Sequence, residues 1–436
     1  MDAALLNRLG KRGVIGWMTF WLLMTTVAGC SLPHLSAIGI AIDPAGKSVA
    51  YLWEDRSEEP AVDGKVWSRT ISLHWCAIES PSQQSSVAID SLGLGFAGYA
   101  AVPADIKWSP SGTCIGVLTP QKLVLVDAKS KNVKMFEDGT ITSFAWLSDD
   151  EVAYCTRRTG KGMQRRVICR QKIDHTHRSD AVEFDWYPAN TYFWQEHWSP
   201  SGQYVVVMEP AIGGRFQMVD VLGTTSRPFG QTNAHDEAVA WSRDSRQAFC
   251  VSETVGPNDA YEALLISTGA SILADCSKQY QESFATGKHW PRLEPFWTVD
   301  GAYVIGNDDR TGGYLIQPNP WRVVHLGQML SSRPEVPKTS RSLPWLSWLP
   351  VPGWIGVLPT GNEGDSPIKY ATTYSGQNLV PLIETRGIWA ISSNGAAAAT
   401  VDNEKRVRVR VPGKGLLPST ASDSPKPGAL PDRDAN

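Results

Sequence analysis

An aromatic residue followed by a polar turn recurs along this chain, and each copy leads into a short apolar, β-branched run. Trp108 and Trp198 each open W-S-P-S-G; Trp241 opens W-S-R-D-S, Trp297 W-T-V-D-G, Trp146 W-L-S-D-D, Trp348 W-L-P-V-P-G and Trp389 W-A-I-S-S-N-G. An eighth copy, I-D-P-A-G, carries Ile42 in the aromatic position. Successive aromatics lie 38, 52, 43, 56, 51 and 41 residues apart, after a first gap of 66 from Ile42. Ser, Asp, Pro and Gly supply local side-chain hydrogen bonds, a fixed φ and tolerance of positive φ, which is turn chemistry. The runs that follow, Cys114 to Leu118, Tyr204 to Met208, Ala248 to Val251 and Tyr303 to Ile305, have strand composition. A period near fifty with a turn at each mark is the pattern of an all-β chain, a β-propeller of four-stranded antiparallel blades.

Eight turn copies predict eight blades, with units beginning near residues 36, 104, 142, 191, 236, 292, 343 and 386. Each aromatic is expected to end an inner strand and to pack between neighbouring blades, because one blade cannot bury both faces alone. The last unit is short: after Lys405 to Val411 the chain turns polar and Pro-rich. A seven-bladed ring, in which the first and last units share one blade, is the alternative. The expected divisions are a signal segment 1–29, a short segment 30–35, a propeller 36–411 and a disordered tail 412–436, which is rich in Pro, Ser, Gly and Asp.

The N-terminus speaks to location. Arg8, Lys11 and Arg12 precede an uncharged run from Val14 to Gly29, the pattern of a secretory signal. That run of 16 residues is shorter than the roughly 20 a bilayer-spanning helix needs. It ends in Val27-Ala28-Gly29-Cys30, which resembles the bacterial lipobox. The resemblance implies cleavage before Cys30, acylation of Cys30 and anchoring in membrane lipid; more than one acyl chain makes such anchoring stable. Ser31 after the cysteine resembles lipoproteins sorted to the outer membrane. An uncleaved anchor is the competing reading.

In an exported protein the other cysteines face an oxidising compartment. Cys155 and Cys169 fall on neighbouring strands of one hairpin, so this pair is a candidate disulfide; Cys76, Cys114, Cys250 and Cys276 read as packing residues. The net charge of −3 carries no basic footprint for nucleic acid. Arg157, Arg158, Lys161, Arg165, Arg166 and Arg170 cluster in one hairpin, either as a solvated tip or as a site for an anionic partner or lipid headgroup.

No motif of a nucleophilic hydrolase, zinc protease or P-loop is present, and no catalytic residue, metal site or cofactor is assigned. His175 and His177 lie in a polar connection, and the calcium-like run from Asn307 to Gly313 lacks the glutamate of its twelfth position, so it reads as a hairpin turn. The segment Gln328 to Pro352, with Trp345 and Trp348, is expected to hold a projecting loop that is either an ordinary connection or a partner-binding one. Asp105, Glu196, His197, Glu237 and Glu294 fall just before repeat aromatics, so a ring would carry them toward one mouth of its channel as a possible polar site.

The W-S-P-S-G turns resemble the W-S-P-D-G repeats of the TolB-type propeller and of the propellers of the prolyl oligopeptidase family. The resemblance runs through short turns across residues 36–411, with Ser111 and Ser201 where that family usually has aspartate. It implies a monomeric, non-catalytic protein-interaction scaffold with an envelope protein partner. The alternative is an enzyme, or a carbohydrate- or metal-binding propeller, with its site in the channel.

Overall fold

The structure, a computed structural model, describes residues from Ala37 to Arg410, leaving out parts of loops, chiefly 95–104, 187–195, 254–260, 285–291, 337–342 and 359–367. These residues form eight antiparallel sheets in chain order, seven of four strands and a last one of three. The chain is thus an eight-bladed β-propeller. The first strands begin at Ala37, Asp105, Thr140, His197, Glu237, Arg292, Trp345 and Ile388, close to the expected unit starts. First strands of blades 1 and 2, 4 and 5, and 5 and 6 touch, and that of blade 8 returns to that of blade 1, which closes the ring. The seven-bladed alternative fails because Ala37–Leu94 and Ile388–Arg410 lie in separate sheets.

Alternation along each strand sends side chains toward the two neighbouring blades, and the hydrophobic core lies between blades. Ala50, Leu52, Ile71 and Leu73 of blade 1 pack on Ile106, Trp108, Ile115 and Val117 of blade 2. The same arrangement recurs to the packing of Ile305 and Leu315 against Ile355 and Val357 of blade 7. At the closing seam Tyr51 and Trp53 meet Val401, and Val49 and Cys76 meet Ala399.

The repeated turn has one construction. The residue after the aromatic accepts the N–H of the residue three on, at 2.9 Å for both Gly112 to Ser109 and Gly202 to Ser199. Its side chain also receives the N–H of the residue five on: Ser109 from Cys114 (3.2 Å), Ser199 from Tyr204 (3.1 Å), Ser242 from Gln247 (2.9 Å), Thr298 from Tyr303 (3.0 Å) and Asp43 from Ser48 (2.9 Å). Gly202 closes its turn at φ 70°, where a Cβ would lie 2.3 Å from the carbonyl oxygen of Trp146.

Strand register corrects one assignment. In blades 1, 2, 4 and 5 the residue ending the first strand pairs with the residue seven on: Ile42 with Val49, Trp108 with Ile115, Trp198 with Val205 and Trp241 with Ala248. In blade 8 the residue that does so is Ile391, paired with Ala398, whereas Trp389 pairs with Thr400. The last repeat is therefore I-S-S-N-G, another aliphatic copy like I-D-P-A-G. Trp389 drew attention only as the nearest aromatic.

Two helices were not expected. Ser277–Phe284 follows the outer strand of blade 5, and Leu326–Ser331 follows that of blade 6. Leu326, Leu330 and Val336 are buried in the core shared by blades 6 and 7. The start of the Pro-rich segment thus packs on the ring instead of projecting from it; residues 337–342 and Trp348 lie outside the described residues.

Candidate interaction face

The aromatic turns join first strands to second strands at one end of the ring. The hairpins joining second to third strands, and the connections between blades, therefore emerge at the other end. In blades 2 and 4 to 8 the second and third strands hold four to seven residues each. In blade 1 they are Ser48–Ala61 and Gly64–Ala77, of 14 residues each. Pairing with the first strand stops at Trp53 and Glu54 is still buried opposite Ile71, so Asp55 to Ala61 extend beyond the ring wall. At ~3.3 Å per residue this arm is about 23 Å long. Blade 3 carries a shorter one, Glu151–Gly160 paired with Met163–Lys172. Loops held by a rigid scaffold commonly carry function, and this connection face is where the ring departs from its own repeat.

Of the five channel candidates, Asp105, His197 and Glu237 open first strands, Glu196 precedes one and Glu294 follows one, and not every one of them points at the axis. Asp105 pairs with Lys107 on its own strand at 2.7 Å. Glu196 turns sideways between blades 3 and 4: Arg166 Nη2 lies 3.4 Å from Glu196 Oε1, with the two side chains 3% and 2% exposed. The Thr142 hydroxyl donates to Glu196 Oε2 at 3.1 Å. His197 and Glu294 are half-buried, and the side chain of Glu237 lies outside the described residues. The reason is geometric. Strand side chains aim at neighbouring blades, leaving mainly strand edges to face the axis. Among the described residues no three His, Cys, Asp or Glu side chains come together as a metal site would require. His175 and His177 lie outside the described residues, and Asp308 with Gly312 closes the expected hairpin.

Much of the charge of the basic hairpin of blade 3 is matched, while Arg165 stays exposed and Lys161 lies outside the described residues. Arg158 donates to Asp138 at 2.9 Å and to Asp180 at 3.0 Å; Arg178 also meets both aspartates; Arg165 meets Glu183 at 2.6 Å. The hydrogen bond from Arg158 holds the Asp180 carboxyl below its ordinary range. The sequence offered the cations as a cluster, but their partners come from another strand and from the blade 2 connection.

The candidate disulfide is not formed. Cys169 lies opposite Tyr154 and Cys155 opposite Ile168, one position apart. The two thiols therefore face opposite sides of the blade, Cys169 toward blade 2 and Cys155 toward blade 4, and both are free. Burial, with the negative charge of Asp180, pushes the Cys169 thiol up to about 12. Cys30 lies outside the described residues.

Sequence reasoning missed Asn307. Its buried amide donates to the Leu346 carbonyl at 2.8 Å and accepts the Leu346 N–H at 2.6 Å, so it pairs with blade 7 as a strand backbone would. It also missed an aromatic cluster in which Phe284 packs, with its ring tilted, between Tyr280 and Tyr314, at centroid distances of 4.8 and 4.6 Å. The only sequence signal for Asn307 was its place in a calcium-like run, which pointed to other chemistry.

No protein-family model matches the chain, and no curated protein matches it. Among solved structures it is similar to one described as a eukaryotic initiation factor, at 12% identity over 81% of this chain and 80% of that one, with a TM-score of 0.50. Sqt1 from Chaetomium thermophilum matches at 12% identity over 87% and 97%, TM-score 0.49. TolB from Acinetobacter baumannii matches at 12% over 77% and 80%, TM-score 0.33. At such identities the likeness is one of fold alone: the first comparison supports the propeller, and the two lower scores add no weight to it.

Proposed function

We propose that this protein is a lipid-anchored propeller of a bacterial envelope, favoured at the outer membrane, that holds a protein partner on its connection face and has no catalysis of its own. The observation that carries this reading is the blade 1 arm, Ser48–Ala61 with Gly64–Ala77, which lengthens this blade beyond every other one described and adds paired backbone where no ring contact requires it. The run from Arg8 to Cys30 supports export and acylation. The first strand starts at Ala37 on the same face, seven residues after Cys30, so an anchored chain would be tethered from that side.

The test is photocrosslinking in intact envelopes, with a crosslinking residue placed at Trp67 in the arm or at Asp300 in an aromatic turn. Discrete protein adducts from position 67 and none from position 300 are expected. Membrane fractionation of Cys30→Ser should show release or an unprocessed chain. Adducts confined to position 300, or normal membrane retention of processed Cys30→Ser, would overturn the reading.

A further inference from the structure

The first strand of blade 1, Ala37–Ile42, begins beside the foot of the arm. Ala37 pairs with Trp53, the last residue of the arm's inner strand that the first strand reaches. The chain therefore enters the ring at the root of the arm and on the arm's own face. Cys30 stands seven residues before Ala37. Even fully extended, such a stretch spans no more than about 25 Å.

That length decides which face an anchor would hold toward the bilayer. A path from Ala37 around the rim to the aromatic-turn face crosses three strand spacings, about 14 Å. It then descends the height of the six-residue first strand, about 20 Å more. The tether is too short for this route, so anchoring at Cys30 would turn the connection face to the membrane. The arm, Asp55 to Ala61, reaches about 23 Å from that face, nearly the full length of the tether. The space between face and bilayer would thus be about as deep as the arm is long. A soluble domain of about 100 residues, with a radius of gyration of about 13 Å, is about 34 Å across and exceeds that depth. A protein seated in the membrane meets no such limit, because only its exposed surface need enter the gap. Attachment to one membrane also raises the effective concentration of each molecule for the other.

We infer that the partner of the blade 1 arm is a protein embedded in the same membrane, met by the arm at the bilayer surface. The inference rests on the proposed acylation of Cys30 and on the arm as the element that holds a protein.

The experiment places the photocrosslinking residue at Trp67 in two full-length chains in intact envelopes. One has the native tether; the other carries a helical spacer of Glu-Ala-Ala-Ala-Lys repeats between Pro33 and His34, about 40 residues and about 60 Å long. Adducts are expected to fall at least about tenfold with the spacer, which the steep dependence of effective concentration on reach requires. The protein adducted through the native tether, identified by mass spectrometry, should stay with the membrane after an alkaline wash of cells without the crosslinker. The wash uses the native tether alone, so it decides the matter even if the spacer chain folds poorly. Undiminished adducts in a spacer chain with the parent's denaturation midpoint, an adducted protein that washes off, or adducts to lipid alone would overturn the inference. A soluble protein captured through both tethers would do so while leaving the arm as the partner-holding element. No adduct at all from position 67 would remove both readings.

Discussion

The indole N–H of Trp241 donates to the backbone carbonyl of His197 at 2.9 Å, and His197 is the residue just before the preceding repeat aromatic, Trp198. The relation recurs around the ring. Trp108 reaches Ala41 at 3.2 Å, Trp146 reaches Lys107 at 3.2 Å and Trp297 reaches Ala240 at 3.0 Å, in each case one residue before the earlier blade's Ile42, Trp108 or Trp241. Trp198 departs from it, donating to the Ser143 hydroxyl at 2.8 Å. Each indole thus fills an inter-blade core and satisfies an inner-strand acceptor with its polar end, which suits tryptophan better than phenylalanine.

Two substitutions separate these roles at Trp241, which is 1% exposed. Trp241→Ala should lower stability by about 3–5 kcal/mol through the cavity it leaves. Trp241→Phe keeps most of the ring volume and should cost about 1 kcal/mol from the lost hydrogen bond. Chemical denaturation of both variants measures this, and equal costs would show that packing between blades is not what the indole supplies.

The ring was legible because its repeat is local: an aromatic, a side-chain-capped turn and a β-branched run are all read within about ten residues of sequence. First-strand starts followed within a few residues for the same reason. The site was less legible because it depends on which side of a strand a residue faces and on what the next blade presents. Glu196 finds Arg166 and Thr142, Arg158 finds Asp138 and Asp180, and Cys155 and Cys169 part company through a one-residue register offset. Spacing along the chain encodes none of these. Trp389 misled because aromatic identity was followed where register favoured Ile391.

Asn307 offers a sharp test of a contact invisible in sequence. Asn307→Leu removes the donor and the acceptor that Leu346 uses, leaving a buried N–H and C=O without them. Asn307→Asp keeps the acceptor and loses the donor. Each unsatisfied buried group costs about 1–3 kcal/mol. Asn307→Leu should therefore lower the unfolding free energy by about 2 kcal/mol or more, and a loss under about 0.5 kcal/mol would contradict the bridging role.

The thiols carry a redox prediction. Among the described residues Cys76, Cys114, Cys155, Cys169, Cys250 and Cys276 form no disulfide. Burial pushes Cys76 and Cys276 up to about 11. Protonated and enclosed, they should resist alkylation in the native protein near pH 8, because the thiolate is the nucleophile. Denaturant should make all six titrate, with identical electrophoretic mobility with and without reductant. Fewer than six reactive thiols in the denatured, unreduced protein would reveal a disulfide.

Stability should fall at both ends of the pH scale for identifiable reasons. Asp180, hydrogen-bonded by Arg158, and Asp275, hydrogen-bonded by Ser277, are held below the ordinary carboxyl range. Depressed groups stabilise fully above the unfolded value of about 4, and the contribution is lost as pH falls through their folded values. Tyr51 is raised to about 12, chiefly by burial. Its contribution is complete below the unfolded value of about 10 and is lost as pH rises toward 12. Denaturation midpoints across pH should show a flatter acid limb in Asp180→Asn and a flatter alkaline limb in Tyr51→Phe. Wild-type slopes in these variants would refute the assignments.

Glu196 is where a channel site and a structural ion pair make opposite predictions. Its side chain is 2% exposed and that of Arg166 is 3% exposed. Deleting one member of a buried pair strands the other charge and commonly costs 3–5 kcal/mol, whereas replacing both with apolar groups of similar volume is often neutral or stabilising. Glu196→Ala should therefore unfold at markedly lower denaturant, while the double variant Glu196→Leu/Arg166→Met should recover most of the loss. On the structural reading the double variant also keeps partner crosslinking from the blade 1 arm, since neither side chain reaches that surface. A double variant as stable as the parent that nonetheless loses the cellular phenotype, with crosslinking intact, would return Glu196 to a functional role that packing between blades 3 and 4 does not explain.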